Sequence, residues 1–592
     1  MYKAPLNDIE FVLHELIGPQ GLAGCPDLAD YSAETASSVL AEAARFAETV
    51  LAPLNKTGDR EGAHWSAQGV TTPTGFKEAY RQFVQGGWPQ LGSSPEFGGQ
   101  AVPQILTSAV QEIWASANLA FKLCPMLTHG AAHALELSGT PEQKQTYLPR
   151  MVSGEWTGTM VLTEPQAGSD LGLIRTQAVP QGDHYRLFGQ KIFITWGEHD
   201  YTENIIHMVL ARIEGAPAGT RGISMFIVPK FLVRPDGTLG ERNEVRCVSI
   251  EHKLGIHASP TCVMAFGEKQ GAIGYLVGEA NRGLEYMFIM MNTARLAVGL
   301  EGYAVAEAAL QLAVEWARSR VQGKPPGAAG GGAPATIIRH PDVKRMLLGM
   351  KASVAAMRAL TIYCASQLDL SRHHADERIR NAAQSRVDLL IPIVKGWSTE
   401  SGAEVASTGI QVHGGMGFIE ETGAAQFLRD VRITLIYEGT TGIQANDLIG
   451  RKIGRDGGAA MAELIAEMRA ELQKLSSEEP VGSVRKAVLE GIDVLEAATR
   501  CLLGLLGADA ARAGAVAVPY LKLCGFTLGG WLMARTAAIA AAKTSGTEGE
   551  LYAGRLQAAR FYAEQILPNA LALARIVECG SSSVAAAEDR LI

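Results

Sequence analysis

The sequence has no C-x-x-C pair: its eight cysteines, Cys25, Cys124, Cys247, Cys262, Cys364, Cys501, Cys524 and Cys579, are scattered along 592 residues. Such spacing offers neither a disulfide framework nor a zinc site, and it is the usage of a reducing compartment. Charge is scarce, 19 % of residues, and the formal net charge is −8. No basic stripe or aromatic-plus-Arg tract is present, which argues against a nucleic-acid partner. The opening MYKAPLNDIEF lacks a basic region with an apolar one behind it. A cytoplasmic protein rather than a secreted one is therefore expected. A Ser–His–Asp set and an H-E-x-x-H helix are missing too.

Apolar residues make up 47 %, which reads as folded and globular. The length is too great for one core, so three or four domains are expected. Apolar residues at three- and four-residue spacings in ASSVLAEAARFAETVLAPL (36–54) predict a helix. Thr140 followed by Pro141 predicts a helix start. From about 156 the texture changes. HYRLFGQKIFIT (184–195), NIIHMVLARI (204–213), GISMFIVPK (222–230) and TCVMAFG (261–267) are short Ile/Val/Phe-rich runs, expected as strands of an antiparallel sheet or barrel. Long helical stretches follow at 296–320, 340–368 and 384–415, with a flexible loop at 323–335 and a further Ala/Leu-rich helical block from about 456. Segregated blocks of this kind predict α+β domains in series. The run AGAVAVPYLKLCGFTLGGWLMA (513–534) contains Pro519 and Lys522, so a helix pair buried in protein is expected rather than a membrane span.

Five segments could carry chemistry. LTEPQAGSDLG (162–172) offers the hydroxyls of Thr163 and Ser169 beside Gly168, in a turn whose backbone N–H groups can hold an anion. An ordinary polar loop accounts for it equally. KIFITWGEHD (191–200) sets Phe193 and Trp196 beside Thr195, a platform for a flat heterocycle or a sheet-core aromatic cluster. WARSRVQGKP (316–325) places Arg318 and Arg320 at a helix end, as dipole caps or, for Arg320, a phosphate clamp. GIQVHGGMGF (409–418) has glycines 414, 415 and 417, which allow close backbone approach to a ligand but do not fit a dinucleotide-binding G-x-G-x-x-G. His413 beside them reads as a satisfied core or loop histidine. TLIYEGTTGIQAND (434–447) places one acid, Glu438, between an apolar run and a hydroxylated turn. A carboxylate on apolar surroundings costs free energy unless paired or neutralised. Together these offer a large phosphate-bearing cofactor with one base beside it.

TEPQAGSD (163–170), QVHGGMGF (411–418) and YEGTTGIQ (437–444) occur in this order, and at about this separation, in the acyl-CoA dehydrogenases, which residues 35–455 resemble. The resemblance implies a helical N-terminal domain, a middle antiparallel β-domain and a C-terminal four-helix bundle, with FAD as cofactor and no metal. Segments 1–34, 35–155, 156–280, 281–455 and 456–592 are the expected divisions, the last an additional helical domain. By resemblance Thr163 would meet the flavin edge, and Gly168 and Ser169 the pyrophosphate. Phe193 and Thr195 would stand against the isoalloxazine. Arg320 and Gln322 would reach the FAD of a partner subunit, with Gln411 and Gly415 on its adenosine-diphosphate part and Thr440 nearby. Glu438 would be the base, removing the α-proton of a thioester as the β-hydrogen leaves to flavin N5. The base's own N–H and a ribityl hydroxyl would bind the thioester carbonyl, and an apolar pocket would raise the carboxylate's pKa. Asn292, Arg295 and Gly439 fall to the substrate region.

Some members carry their base on the helix at 291–299, where this chain has Ala294. The Phe usual after Arg-x-Gln is missing behind Gln322, and Gly442 stands where a flavin-contacting Gln is common. Among C-terminally extended members, the N-terminus and the segment 437–453 look most like the bacterial 3-(methylthio)propanoyl-CoA dehydrogenases. Acyl-CoA substrate, electron-transfer flavoprotein as acceptor and a homodimer or dimer of dimers are implied, without nucleic acid or membrane span. The rivals are an acyl-CoA oxidase using oxygen and a non-catalytic flavin- or acyl-CoA-binding protein.

Overall fold

The computed structural model describes residues 2–28, 31–326 and 334–592; part of the expected loop at 323–335 lies outside them. The chain forms two compact units. The first comprises Arg45–Pro103 and Ala117–Ala297, the second Met1–Ala44, Gln104–Ser116 and Val298–Ile592.

The first unit is built on a sheet of eight strands: β1 (Thr157–Val161), β2 (Gln177–Gln181), β3 (His184–Thr195), β4 (Ile205–Ile213), β5 (Ser224–Pro229), β6 (Val245–Ile250), β7 (Thr261–Phe266) and β8 (Ala272–Val277). The order is β6-β7-β3-β8-β5-β4-β1, with β2 paired to both β3 and β4. The sheet is antiparallel, as expected, except that β1 runs parallel to β4 (Thr157 opposite Ile205) and the start of β2 parallel to the end of β4. The long excursion from Leu162 to Asn204 explains the exception, since parallel neighbours need a long crossover and hairpins cannot supply one.

Alternation along the strands feeds two cores. Ile206, Met208, Leu210, Met225 and Ile227 meet Leu127, Ala131 and Leu135 of α1 (Leu119–Ser138) and Tyr147 and Met151 of α2 (Pro141–Val152). Val209, Ala211, Phe226 and Val228 face the other way, onto Leu187, Met264 and Phe266. Helix α2 opens on a full capping box: Thr140 accepts from the Gln143 N–H, and the Gln143 side chain accepts from the Thr140 N–H. Helix α3 (Gly283–Ser319) adds Met287, Met290 and Ala294 to the first core before its chain passes, at Val298, into the second unit.

The second unit is helical. Its centre holds the later part of α3, α4 (Pro341–His373) and α5 (Glu377–His413). Helices α3 and α5 touch at glycine: a Cβ on Gly402 would lie 2.2 Å from the Gly302 carbonyl oxygen. Glu112, Glu307 and Arg358 meet in the same interior. The Arg358 guanidinium lies 2.7 Å from Glu112 and 2.9 Å from Glu307, and Tyr303 Oη donates to Glu112 at 3.0 Å. Burial pushes the Glu112 carboxyl up despite the guanidinium.

The segment expected as a buried helix pair is a short helix, Ala510–Ala515, followed by Ala517–Ala541. Helices α3, α4 and Ala517–Ala541 are long and apolar enough to cross a membrane by length and composition. Their most apolar stretches are 83 %, 72 % and 83 % buried inside the protein. In the last of them Gly525 admits Trp397, whose Cγ would lie 2.1 Å from a Cβ there. Protein packing thus accounts for the apolar character of Ala517–Ala541.

Candidate active site

In the first unit the turn after β1 carries Thr163, Gly168 and Ser169. Its root is a buried ion pair, Glu164 with Lys191 at 2.9 Å. Burial alone would raise the Glu164 carboxyl. Lys191, the Thr176 hydroxyl and the Arg175 N–H outweigh it and hold the group at about 2. Arg212 secures the far side, donating to the carbonyls of Gly172 at 2.5 Å and Ile174 at 2.9 Å. Between these anchors Gly168 and Ser169 are exposed, and a Cβ on Gly168 would meet nothing within 4 Å. Among the described residues their N–H groups donate to no protein acceptor.

The Thr163 carbonyl accepts from Ile192 N–H at 2.9 Å, which sets this turn beside the end of β3. There the pairing of β3 with β7 slips between Lys191 and Ile194, and Phe193 has a φ of 59°. The bulge turns the Phe193 ring outward, 58 % exposed, while Thr195 keeps its place opposite Thr261. Trp196 follows the second of its two readings, the aromatic cluster in the core. It is fully buried, at a φ of 55°, and packs on His199 and Tyr201, so the aromatic platform is Phe193 alone. Asn292 and Arg295 lie together on α3. The Arg295 side chain is buried, donates to Asn292 Oδ1 at 3.4 Å and sits over Phe288. Ala294, at the alternative base position, is buried and offers only a methyl group.

In the second unit α3 ends at Ser319, and Arg320 and Gln322 follow it, exposed. Their backbone pairs with the returning chain: Ile337 N–H donates to the Arg320 carbonyl at 2.8 Å, and Gln322 N–H to Ala335 at 3.0 Å. The Arg320 guanidinium lies 6.0 Å from the Trp316 ring, and among the described residues no hydrogen bond or ion pair occupies it. Trp316 in turn stacks on His413, whose Nδ1 bonds the Gly409 carbonyl at 2.7 Å, the satisfied histidine expected. Gln411 and Gly415 are exposed at the end of α5. Gly417 is required by packing, since a Cβ would lie 2.2 Å from Ile410 O, whereas Gly415 borders open space.

Glu438 is partly buried, on a turn whose backbone is left-handed at two successive residues, with φ of 55° at Glu438 and 91° at Gly439. For a non-glycine residue that conformation is uncommon and marks a functional or strained position. Gln444 donates to the carbonyls of Glu438 at 3.0 Å and Gly439 at 3.4 Å, and Lys395 Nζ donates to Gly439 at 2.6 Å. On the near side the Tyr437 hydroxyl donates to Glu301, and burial together with that carboxylate keeps the phenol well above its ordinary pKa. Thr440 caps a short helix, Thr441–Asn446, by accepting from Ile443 N–H, and Thr441 donates to Glu400 at 2.7 Å.

Four family models match the chain in sequence: acyl-CoA dehydrogenase N-terminal domain over 33–155, middle domain over 159–268, C-terminal domain over 281–453, and acetyl-CoA dehydrogenase C-terminal like over 464–588. The 3-methylmercaptopropionyl-CoA dehydrogenase of Ruegeria pomeroyi is 46 % identical over 99 % of each chain. The chain belongs to the acyl-CoA dehydrogenase family. Another relative of this acyl-CoA dehydrogenase is the broad-specificity linear acyl-CoA dehydrogenase FadE5 of Mycobacterium tuberculosis, 35 % identical over 98 % of this chain and 97 % of that one. Its fold is that of a Bacillus anthracis acyl-CoA dehydrogenase complexed with FAD, at a TM-score of 0.74 and 20 % identity over 100 % of this chain and 94 % of that one. A Caenorhabditis elegans protein, ACDH-11 in complex with C11-CoA, gives 0.76 at 20 % identity, covering 96 % and 92 %.

The sequence did not single out the side chains that hold the Glu438 turn: Glu301, Lys395, Glu400 and Gln444. One signal was available for Lys395, a lone cation inside the apolar run LLIPIVKGW. Gln444 closes the motif YEGTTGIQ itself, whereas Glu301 and Glu400 sit among ordinary helix residues, and only the folded chain brings those two to the turn.

Proposed function

We propose that this acyl-CoA dehydrogenase uses FAD to convert a short or medium acyl-CoA into its 2-enoyl-CoA, with Glu438 as the base and 3-(methylthio)propanoyl-CoA as the first candidate substrate. The observation that carries the assignment is the Glu438 turn, a carboxylate on strained backbone that buried side chains hold from several elements. The end-to-end identity with the 3-methylmercaptopropionyl-CoA dehydrogenase supports the substrate.

The residues fit the cofactor. In the first unit the Gly168 and Ser169 N–H groups, unengaged among the described residues, suit a pyrophosphate, and the exposed Phe193 ring suits a flat heterocycle; in the second unit the Arg320 guanidinium, without hydrogen bond or ion pair among the described residues, and the open space at Gly415 suit the adenosine-diphosphate part of a partner subunit's FAD. Thr163 and Thr195 are assigned to the same FAD as Gly168 and Phe193, and Gln322 and Gln411, with Arg320 and Gly415, to the FAD of a partner subunit. The Thr440 hydroxyl accepts from Ile443 N–H as a helix cap and keeps its proton to donate to a cofactor. When bound, FAD supplies the hydride acceptor. Glu438 removes the α-proton of the thioester, and Asn292, Arg295 and Gly439 border the acyl-CoA. Electron-transfer flavoprotein as acceptor, a homodimer or dimer of dimers, and a cytoplasmic setting complete the proposal. The free state of all eight cysteines supports the last.

A panel of short, long, branched and thioether acyl-CoA compounds, read anaerobically by bleaching of the yellow protein, tests the substrate. Fastest bleaching by the thioether compound is expected; fastest bleaching by a long chain would overturn that choice. Rapid reoxidation of the bleached protein by air would replace the dehydrogenase with an oxidase. Arg320→Ala is expected to weaken FAD binding roughly 10–100-fold, the range of a charge-assisted contact, and to loosen the dimer with it. Flavin fluorescence and size-exclusion chromatography measure the two. No change in either would leave Arg320 as a helix-end residue only.

A further inference from the structure

We infer that Lys395 is a positioning residue for the base, acting through the Gly439 carbonyl. The inference rests on the assignment of Glu438 above. Lys395 lies within α5 and is 0 % exposed, and its Nζ donates to Gly439 O at 2.6 Å. Taking an ammonium out of water is costly unless hydrogen bonds replace the lost hydration. Here a donor is spent on the main chain directly after the base.

The geometry shows what that contact controls. The peptide planes on either side of Gly439 are set by consecutive left-handed residues, Glu438 and Gly439. An acidic residue leaves that conformation readily unless its surroundings hold it. Two buried donors hold this one: Lys395 on the Gly439 carbonyl, and Gln444 on the carbonyls of both Glu438 and Gly439. Gln444 also closes the turn sterically, since a Cβ on Gly439 would lie 2.7 Å from its Nε2. The two donors differ in origin. Gln444 belongs to the short helix that follows the turn, so it moves with the turn. Lys395 belongs to α5, which is locked by Gly402 against Gly302 and by Gly396 against Leu521. Of the two donors to the turn's carbonyls, Lys395 therefore is the one that ties them to a rigid element from outside the turn, and so helps to fix the direction in which the Glu438 carboxylate extends. Tyr437 with Glu301 secures the residue before the base in the same way, from α3.

Lys395→Met keeps the length and apolar stem and removes the donor. Two rates are read on the purified FAD-loaded variant: flavin bleaching by acyl-CoA, and exchange of the thioester's α-hydrogens with D2O, which needs the base in place. Both are expected to fall together, on the order of 100-fold, as for a misplaced catalytic group. KM, FAD content and melting temperature should change little, and Lys395→Arg, which keeps a charged donor, should recover part of both rates. Normal rates in Lys395→Met would overturn the inference. So would losses confined to melting temperature or FAD content, with normal rates in the molecules that remain folded. Should Lys395→Met fail to fold, Gln444→Met removes the other donor to the same carbonyls. It is expected to slow the same two rates, and unchanged rates there would overturn the clamp. Glu438→Gln separates the two assignments. Exchange surviving in Glu438→Gln removes the base itself, whereas loss in Glu438→Gln with normal Lys395→Met removes only the role of Lys395.

Discussion

Glu438→Gln is expected to slow flavin reduction by acyl-CoA by roughly 10²–10⁴-fold, the contribution of a general base, or more if no water substitutes for it. The amide has the carboxylate's shape and leaves the turn's backbone hydrogen bonds intact, since Gln444 and Lys395 donate to the carbonyls of Glu438 and Gly439. FAD content, melting temperature and acyl-CoA binding should therefore match the parent. The position on α3 at which some members of the family carry their base holds Ala294, a buried methyl that cannot accept a proton. Stopped-flow absorbance under anaerobic conditions gives the rate, and binding of a non-oxidisable acyl-CoA analogue checks the site.

Arg358→Met is expected to destabilise the helical unit by about 3–5 kcal/mol, the cost of leaving a buried ion pair without one partner. Arg358 is the cation shared by Glu112 and Glu307, at 2.7 and 2.9 Å, and all three side chains are buried. Methionine fills much of the volume, so the effect isolates the charge. In the parent, burial and, to a lesser extent, the neighbouring Glu307 carboxylate already raise the Glu112 carboxyl against the pull of Arg358. Adding Glu112→Gln and Glu307→Gln to Arg358→Met removes the stranded charges and is expected to recover most of the loss. Denaturant unfolding of the FAD-loaded protein measures both variants. A single variant as stable as the parent would show that the cluster is hydrated or already neutral.

Local signals in the sequence were legible where one segment decides its own structure. Strand β3 occupies 184–195, the run chosen for its Ile and Phe content, and Thr140 caps α2 as its place before Pro141 implies. The three motifs that carry the family resemblance were legible because they are short and keep their order. Other strands were not. QAVPQ of β2 is polar and contains Pro180, and it pairs only because β3 and β4 flank it. VRCVSI is interrupted by Arg246 and Ser249 and AIGYLV by Gly274, so neither stands out from its loops as an apolar run. The choice between the two readings of Trp196 was not legible for a different reason. Alternation along a strand assigns faces only while the backbone stays extended, and the positive φ at Phe193 and again at Trp196 breaks it twice. The clamp on Glu438 was the least legible part. Lys395 and Gly439 are remote in sequence and meet through a main-chain carbonyl, which leaves no residue type at 439 to betray the contact.

The central claim is that Glu438 removes an α-hydrogen from a thioester as flavin is reduced. Its most direct measurement is anaerobic mixing of the yellow protein with 3-(methylthio)propanoyl-CoA deuterated at the α-carbon, in parent and Glu438→Gln forms. Bleaching slowed by the label in the parent, and neither bleaching nor loss of label in Glu438→Gln, is the predicted result. Bleaching of Glu438→Gln at a rate near that of the parent would contradict it.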